Sequence, residues 1–232
     1  MDDGWTPLLI AAQEGHAGVV DLLIAAGANV NDATVDEATP LYAAAHNGHS
    51  DVVEILIKSG ADLNRATNAG FTSLMMAAQN DHADIVDLLI AAGANLNDAA
   101  GLGTTALYLA AQQGHSDVVE MLIKSGADVD KALADGATPL HAAADFGHSD
   151  VVEMLIESGA DADKALADGA TPLHAAADFG HSDVVEMLIK SGADVDKATA
   201  DGTTPLDVAA HVGHRDVVEM LIESGANVSK AA

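Results

Sequence analysis

The feature that most constrains this chain is a period of 33 residues that runs from one end to the other. Residues 135–156 return unchanged at 168–189, and looser copies recur at the same spacing along the chain. A threonine recurs at the same position of every copy, as Thr6, Thr39, Thr72, Thr105, Thr138, Thr171 and Thr204. A fixed period of this length predicts a solenoid in which each unit packs only on its neighbours.

Each unit contains two short helical patterns and a turn. Thr138 and Pro139 are typical of the start of a helix, because threonine caps the first free amides and proline is tolerated at the first position. Gly147 predicts the end of this helix, since glycine readily adopts positive φ. A second amphipathic pattern begins at Ser149. The later Asp168–Gly169 pair favours a tight turn, so we expect a hairpin-like finger between units.

Residues 138–163 resemble the ankyrin repeat in their Thr-Pro-Leu-His, Gly-His and Gly-Ala-Asp signatures. The resemblance extends over the whole chain and implies an all-α solenoid of seven helix-turn-helix units with β-hairpin fingers, wound into a curved superhelix. We expect one ankyrin repeat domain over residues 1–232, with no internal boundary. Its repeats would lie approximately at 1–31, 32–64, 65–97, 98–130, 131–163, 164–196 and 197–232.

The resemblance implies a protein–protein interaction scaffold that binds a partner through its concave face and fingertips, without catalysis. The side chains just before Gly-His and those at the fingertips vary, whereas the positions between them hardly change. Varied side chains on a constant frame are typical of a recognition surface, and aromatic anchors are common at interfaces. The predicted partner-binding residues are Trp5, Gln13, Glu14, Ala38, His46, Asn47, Phe71, Gln79, Asn80, Thr104, Gln112, Gln113, Asp145, Phe146, Asp178, Phe179 and His211.

The formal net charge of −27 bears on the partner. Nucleic acids and anionic membranes are bound by Lys and Arg, which are scarce here, so neither is an expected partner. An acidic field favours a protein with a basic surface, although solubility explains such acidity equally well. The chain lacks cysteine, which suits the cytoplasm and excludes thiolate chemistry. We expect no cofactor.

Two sets of residues invite a metal interpretation. The Gly-His histidines are repeated once per unit, and packed helices about 8–10 Å apart cannot bring them to one ion. The resemblance implies a structural role for them, in bonding backbone between units. Asp128, Asp130, Asp161 and Asp163 are weak calcium candidates, since stacked fingers would bring carboxylates together. Turn formation is the favoured interpretation of these aspartates.

Departures from the pattern fall at a few positions. Glu37 stands where the other fingertips have glycine, so we expect that turn to take another shape. Asp81 replaces a helix-ending glycine, and Ser73 and Ala106 replace proline.

Both ends are apolar where terminal repeats are normally polar. The sequence is therefore compatible with a segment of a longer array or with self-association through uncapped ends. A third alternative is an engineered or recombined array without a natural ligand, because the fifth and sixth units are nearly identical.

Overall fold

A computed structural model describes residues 4–229, which form fourteen short α-helices. Two helices fall in each 33-residue unit. In chain order they are α1 Pro7–Gln13, α2 Ala17–Ala25, α3 Pro40–Asn47, α4 Ser50–Lys58, α5 Ser73–Gln79, α6 Ala83–Ala91, α7 Ala106–Gln113, α8 Ser116–Lys124, α9 Pro139–Phe146, α10 Ser149–Glu157, α11 Pro172–Phe179, α12 Ser182–Lys190, α13 Pro205–Val212 and α14 Arg215–Glu223. These bounds confirm the predicted all-α class and the helix-turn-helix unit.

The repeated threonine sets the start of the first helix in each unit. In α9 the Thr138 hydroxyl accepts the amide of His141, and Pro139 occupies the first turn. The helix ends at Gly147, whose φ of 73° is left-handed. Because free amides and carbonyls at a helix end need partners, these two residues bound α9 at about two turns.

The described residues cluster into two compact units. The first unit comprises the chain up to Ala110 together with Asp117–Asp128. The second comprises Ala111–Ser116 and the chain from Val129 onward. In the first unit α1 packs on α3 and α3 on α5, while α2 packs on α4 and α4 on α6. In the second unit α9, α11 and α13 form one layer and α10, α12 and α14 the other. The single domain over 1–232 stays a prediction, and residues 1–3 and 230–232 of its first and last repeats lie outside the described residues.

The core of each unit is aliphatic. In the second unit Val151, Val152 and Leu155 of α10 are buried against neighbouring helices, as are their counterparts in α12. Burying such a side chain stabilises the fold by about 1.5–3 kcal/mol. Alanines such as Ala143 and Ala144 are also fully buried, so the first helices can approach closely. Stability therefore comes from contacts between successive repeats.

The fingers are tight turns rather than long hairpins. At residues 166–170 the Leu166 amide donates to the Ala170 carbonyl at 2.8 Å, and the Gly169 amide donates to Leu166 at 2.9 Å. Gly169 has a φ of 93°, so the connection has three residues and ends in a left-handed residue. Among the described residues the one β-bridge pairs Ala100 with Thr104.

The prediction that Glu37 changes its turn is wrong. Glu37 itself adopts the left-handed conformation, with a φ of 64°, and the Thr34–Ala38 and Glu37–Thr34 backbone bonds match those of the other fingers. Arg65 of the next repeat pairs with the Glu37 carboxylate, which helps to hold a conformation that side chains disfavour. Asp81 likewise takes the place of glycine with a φ of 60°.

Within residues 4–229, no helix is long and apolar enough to cross a membrane. The longest helices have nine residues, whereas a span needs about 20.

Ser73 provides a test of how the first helix is stabilised. Its side chain is buried at the first position of α5, and its hydroxyl has no hydrogen-bond partner among the described residues. Thr72 before it is extended, as a residue preceding proline must be. We expect Ser73→Pro to raise the free energy of unfolding by about 1–2 kcal/mol, because it removes an unsatisfied hydroxyl and restricts the unfolded chain. Urea denaturation measures this change.

Ala106→Pro is the matched control, since Ala106 is a buried first-position residue without a hydroxyl. We expect it to stabilise by about 0.4–1 kcal/mol through chain restriction alone. Equal gains from the two substitutions would show that the Ser73 hydroxyl costs nothing.

Candidate functional site

Histidine side chains join successive repeats. In five of them, the Nε2 atom of the ring lies within hydrogen-bond distance of a carbonyl 36 residues earlier. A carbonyl only accepts, so Nε2 carries the proton. The pairs are His49–Gln13 at 2.8 Å, His82–His46 at 3.1 Å, His148–Gln112 at 3.0 Å, His181–Asp145 at 3.0 Å and His214–Asp178 at 2.9 Å. The predicted structural role is confirmed for these five histidines.

In five repeats the glycine before the histidine makes room for the histidine ring of the next repeat. A Cβ atom added to Gly147 would lie 2.6 Å from Nδ1 of His181, and one added to Gly180 would lie 2.6 Å from Nδ1 of His214. Both glycines also have positive φ. Gly-His is therefore a joint, in which the glycine of one repeat makes room for the ring of the following one.

The calcium candidates form part of a second ladder between repeats. The Oδ1 atom of Asp130 accepts the Asp161 amide at 3.1 Å, and that of Asp163 accepts the Asp194 amide at 2.9 Å. Asp161 also accepts the amide of Asp163. Asp128 donates its own amide to Asn97 of the preceding repeat. The ladder has equivalent bonds at Asn31–Asp62, Asn64–Asn95 and Asp196–Asn227.

These carboxylates thus hold the connections that follow the second helices. Among residues 4–229, no three acidic or histidine side chains come together as a metal site.

His141 and His174 lie buried at the start of their helices. Nδ1 of His141 accepts the Thr138 amide at 3.2 Å, and Nε2 faces the Ala170 carbonyl of the next finger at 3.4 Å. His174 makes the same contacts, with Nε2 3.2 Å from the Thr203 carbonyl. Burial lowers the pKa of both rings below the usual 6.5. Both are therefore neutral side chains that support the neighbouring finger.

None of the seventeen predicted partner-binding residues is buried. The exposed fractions of the aromatic ones are high, at 49% for Trp5 and 53% for both Phe146 and Phe179. Phe71 is half-buried. Large apolar side chains of this exposure are available for contact with another molecule.

In the second unit, Asp145–Phe146 and Asp178–Phe179 present the same acidic and aromatic pair on two successive repeats. Each phenyl ring stacks on the joint histidine two residues later, with ring centroids 6.1 Å apart. This contact orients the rings while leaving half of their surface exposed. The pKa of Asp145 is raised by burial and by the nearby negative charge of Asp178. A cation bound between the two carboxylates would offset their repulsion.

In the first unit, Trp5 stands beside the second finger. It lines a shallow pocket with Thr34, Val35, Asp36 and Ala38, and half of its surface remains exposed.

Two predicted contacts in the first unit already bond to their own helices. The amide groups of Asn47 and Asn80 donate to the carbonyls of Ala43 and Met76, both at 2.8 Å. Two apolar fingertip residues outside the predicted set are also exposed, Val35 and Leu102, with exposed fractions of 67% and 73%. The sequence signal for them is an aliphatic residue inside a turn that elsewhere holds small or polar residues.

Known proteins share this sequence pattern and this fold. The sequence model of the family described as ankyrin repeats, in three copies, matches residues 1–67, 19–100, 74–168 and 160–232. The crystal structure of the human ASB11 ankyrin repeat domain is similar at 29% identity and a TM-score of 0.85, over 97% of this chain and 100% of that one. No curated protein matches the sequence.

The two buried histidines predict a pH dependence of stability. Their pKa is lower in the folded chain than in the unfolded chain, so their contribution is complete above about pH 6.5 and is lost as the pH falls through the folded pKa. We expect the double variant His141→Tyr, His174→Tyr to lose less stability than the unmodified chain between about pH 7.5 and pH 5. Tyrosine occupies this position naturally at Tyr42 and Tyr108. Urea midpoints at both pH values give the comparison.

The His211→Tyr substitution, at an exposed position, is the control for replacing a histidine with tyrosine. An unchanged pH dependence in the double variant would contradict the assignment of this effect to the buried rings.

Proposed function

This chain belongs to the ankyrin repeat family, whose members are generally protein-interaction modules, and we propose that it is a scaffold that binds a partner protein. The partner lies on the fingertips and on the ends of the first helices, and no catalysis is involved. Family membership supports the general activity. The placement of the partner rests on the exposed side chains of the two units.

One contrast carries the proposal. The constant histidines and aspartates are occupied in bonds between repeats, as at His181–Asp145 and Asp163–Asp194. The varied positions next to them keep exposed aromatic rings, at Trp5, Phe146 and Phe179. Because the constant groups are already bonded, the varied positions remain for recognition.

The partner we propose carries a basic segment. The chain has 36 acidic and 9 basic residues, and the Asp145–Phe146 and Asp178–Phe179 pairs place carboxylates beside exposed phenyl rings. Carboxylates attract Lys and Arg, and an aromatic face adds a cation–π contribution of about 0.5–1 kcal/mol at exposed sites. A segment with basic residues spaced to meet successive repeats fits this arrangement. The absence of cysteine supports a cytoplasmic location.

The carboxylates of Asp145 and Asp178 provide the first test. We expect the double variant Asp145→Asn, Asp178→Asn to weaken binding of a Lys/Arg-rich peptide about three- to tenfold, since each substitution removes a carboxylate that contacts a basic residue of the peptide. Glu153→Gln, Glu186→Gln makes the same change in net charge on the second helices and should have less effect. Fluorescence anisotropy measures both, at low and high salt. Equal losses would show that only the overall charge acts and that these positions form no site.

The exposed rings provide the second test, with partners captured from a cell lysate and identified by mass spectrometry. We expect Phe146→Ala, Phe179→Ala and, separately, Trp5→Ala to reduce capture while thermal unfolding stays unchanged, because these rings are half exposed. Salt should release the partner. Capture of the same proteins by all variants would contradict the site. Failure of the unmodified chain to enrich any protein would favour an array without a natural ligand.

A further inference from the structure

The first repeat exposes apolar side chains whose counterparts in the later repeats are buried or half-buried. Val19 in α2 has an exposed fraction of 46%, and Leu22 beside it one of 72%. The residues at the position of Val19 in the other repeats are all buried, with exposed fractions of 0–1%: Val52, Ile85, Val118, Val151, Val184 and Val217. Ile10 of α1 is also half exposed. Its counterparts are buried at Ala43, Met76, Leu109 and Ala142 and half-buried at Ala175 and Val208. This face is therefore one half of a repeat–repeat interface.

The last repeat exposes the complementary half. Ala210 of α13 is exposed and Val218 of α14 is half-buried, although their counterparts elsewhere are fully buried. The counterparts, each with 0% exposure, are Ala12, Ala45, Ala78, Ala111, Ala144 and Ala177 for the first position, and Val20, Val53, Val86, Val119, Val152 and Val185 for the second. Ile222 has an exposed fraction of 46%. An apolar surface of this kind is normally replaced by polar residues in a terminal repeat.

The Gly-His joint is also divided between the two ends. Five joints pair a glycine with the next repeat's histidine, and in each of them an added Cβ would lie 2.6–2.7 Å from the ring. Gly213 of the last repeat has the same positive φ, yet no described atom lies within 4 Å of a Cβ added there. At the other end, His16 is exposed and caps no helix with its side chain. Each end thus holds the half of the joint that the other lacks.

We propose that copies of this chain associate end to end, with the first repeat of one copy packed on the last repeat of another. The contact follows the geometry between successive repeats. It places Val19 and Leu22 of one copy against Val218 and Ile222 of the other. It also brings His16 over Gly213, with Nε2 directed at the His211 carbonyl, the counterpart of the carbonyl that His49 meets at Gln13.

The contact uses two different surfaces, so it leaves one free end on each side. Such a heterologous interface extends into open chains unless it closes into a ring. Each copy carries a net charge of −27, and this repulsion opposes association. Salt screens the repulsion and leaves the apolar contact, so end-to-end association strengthens with salt. Binding of a basic partner has the opposite salt dependence.

Sedimentation equilibrium of the whole chain tests the proposal, from about 1 μM to about 1 mM in high salt, a range that covers weak association. We expect the average mass to rise with concentration above that of the 23.4 kDa monomer. Val19→Lys blocks one end and Ile222→Lys the other, and each should weaken association by at least about a hundredfold by burying an unpaired charge. A mixture of the two variants should form complexes of two chains and no larger ones.

Leu102→Lys makes the same charge change at an exposed fingertip and should associate like the unmodified chain. Circular dichroism checks that the variants fold, as expected for substitutions at exposed positions. A monomer at all concentrations would overturn the proposal. So would association that only one of the two lysine variants blocks, since that result indicates contact between identical ends.

The glycine joint has its own matched pair. Gly213→Ala and Gly225→Ala place a Cβ at similar φ values, 91° and 94°, and both positions are open in the single chain. The strain within each chain is therefore similar, whereas only the Gly213 methyl group meets His16 of the neighbouring copy. We expect Gly213→Ala to weaken association about tenfold or more and Gly225→Ala to leave it unchanged. Equal effects of the two substitutions on association would show that the Gly-His joint is not part of the interface.

Discussion

The structure depends on one kind of contact, in which a polar side chain of one repeat bonds to the backbone of the next. The histidine rings reach carbonyls 36 residues earlier, as His148 does at Gln112, and Asn or Asp side chains accept amides 31 residues later, as Asp163 does from Asp194. Each helix has only two turns and would be marginal alone. These bonds fix the register of the apolar helix faces, so the burial that stabilises one repeat requires its neighbour.

This constraint also explains where the chain is constant and where it varies. A change at Gly147 or His181 disturbs two repeats at once, because the glycine makes room for the ring and the ring bonds the backbone. Phe146 makes none of these bonds: its ring stacks on His148 and half of its surface is exposed. The constant frame and the proposed recognition positions are therefore neighbours in sequence but differ in the bonds they make between repeats. In the first and last repeats, apolar side chains that would pack on a neighbouring repeat are exposed, as at Val19 and Ile222.

Much of the fold was predictable from the sequence, because the period, the Thr-Pro starts and the glycine ends act locally. The conformation of Glu37 was not, since its left-handed φ is supported by Arg65 of another repeat. The role of Asp130 and Asp163 was only partly predictable. Their spacing indicated turns, but the bonds to the following repeat depend on how the repeats stack. The exposed positions could be predicted from their variation. The hydrogen bonds from the Asn47 and Asn80 side chains to carbonyls of their own helices could not.

The ring nitrogens of the joint histidines offer the most direct test of the contact between repeats. Long-range ¹H–¹⁵N correlation spectra at neutral pH distinguish the two neutral tautomers and reveal exchange between them. Because Nε2 of His49, His148, His181 and His214 faces a carbonyl, each ring is predicted to hold its proton on Nε2 and to exchange it slowly. Averaged tautomers with rapidly exchanging protons, in a chain that is otherwise folded, would contradict the account.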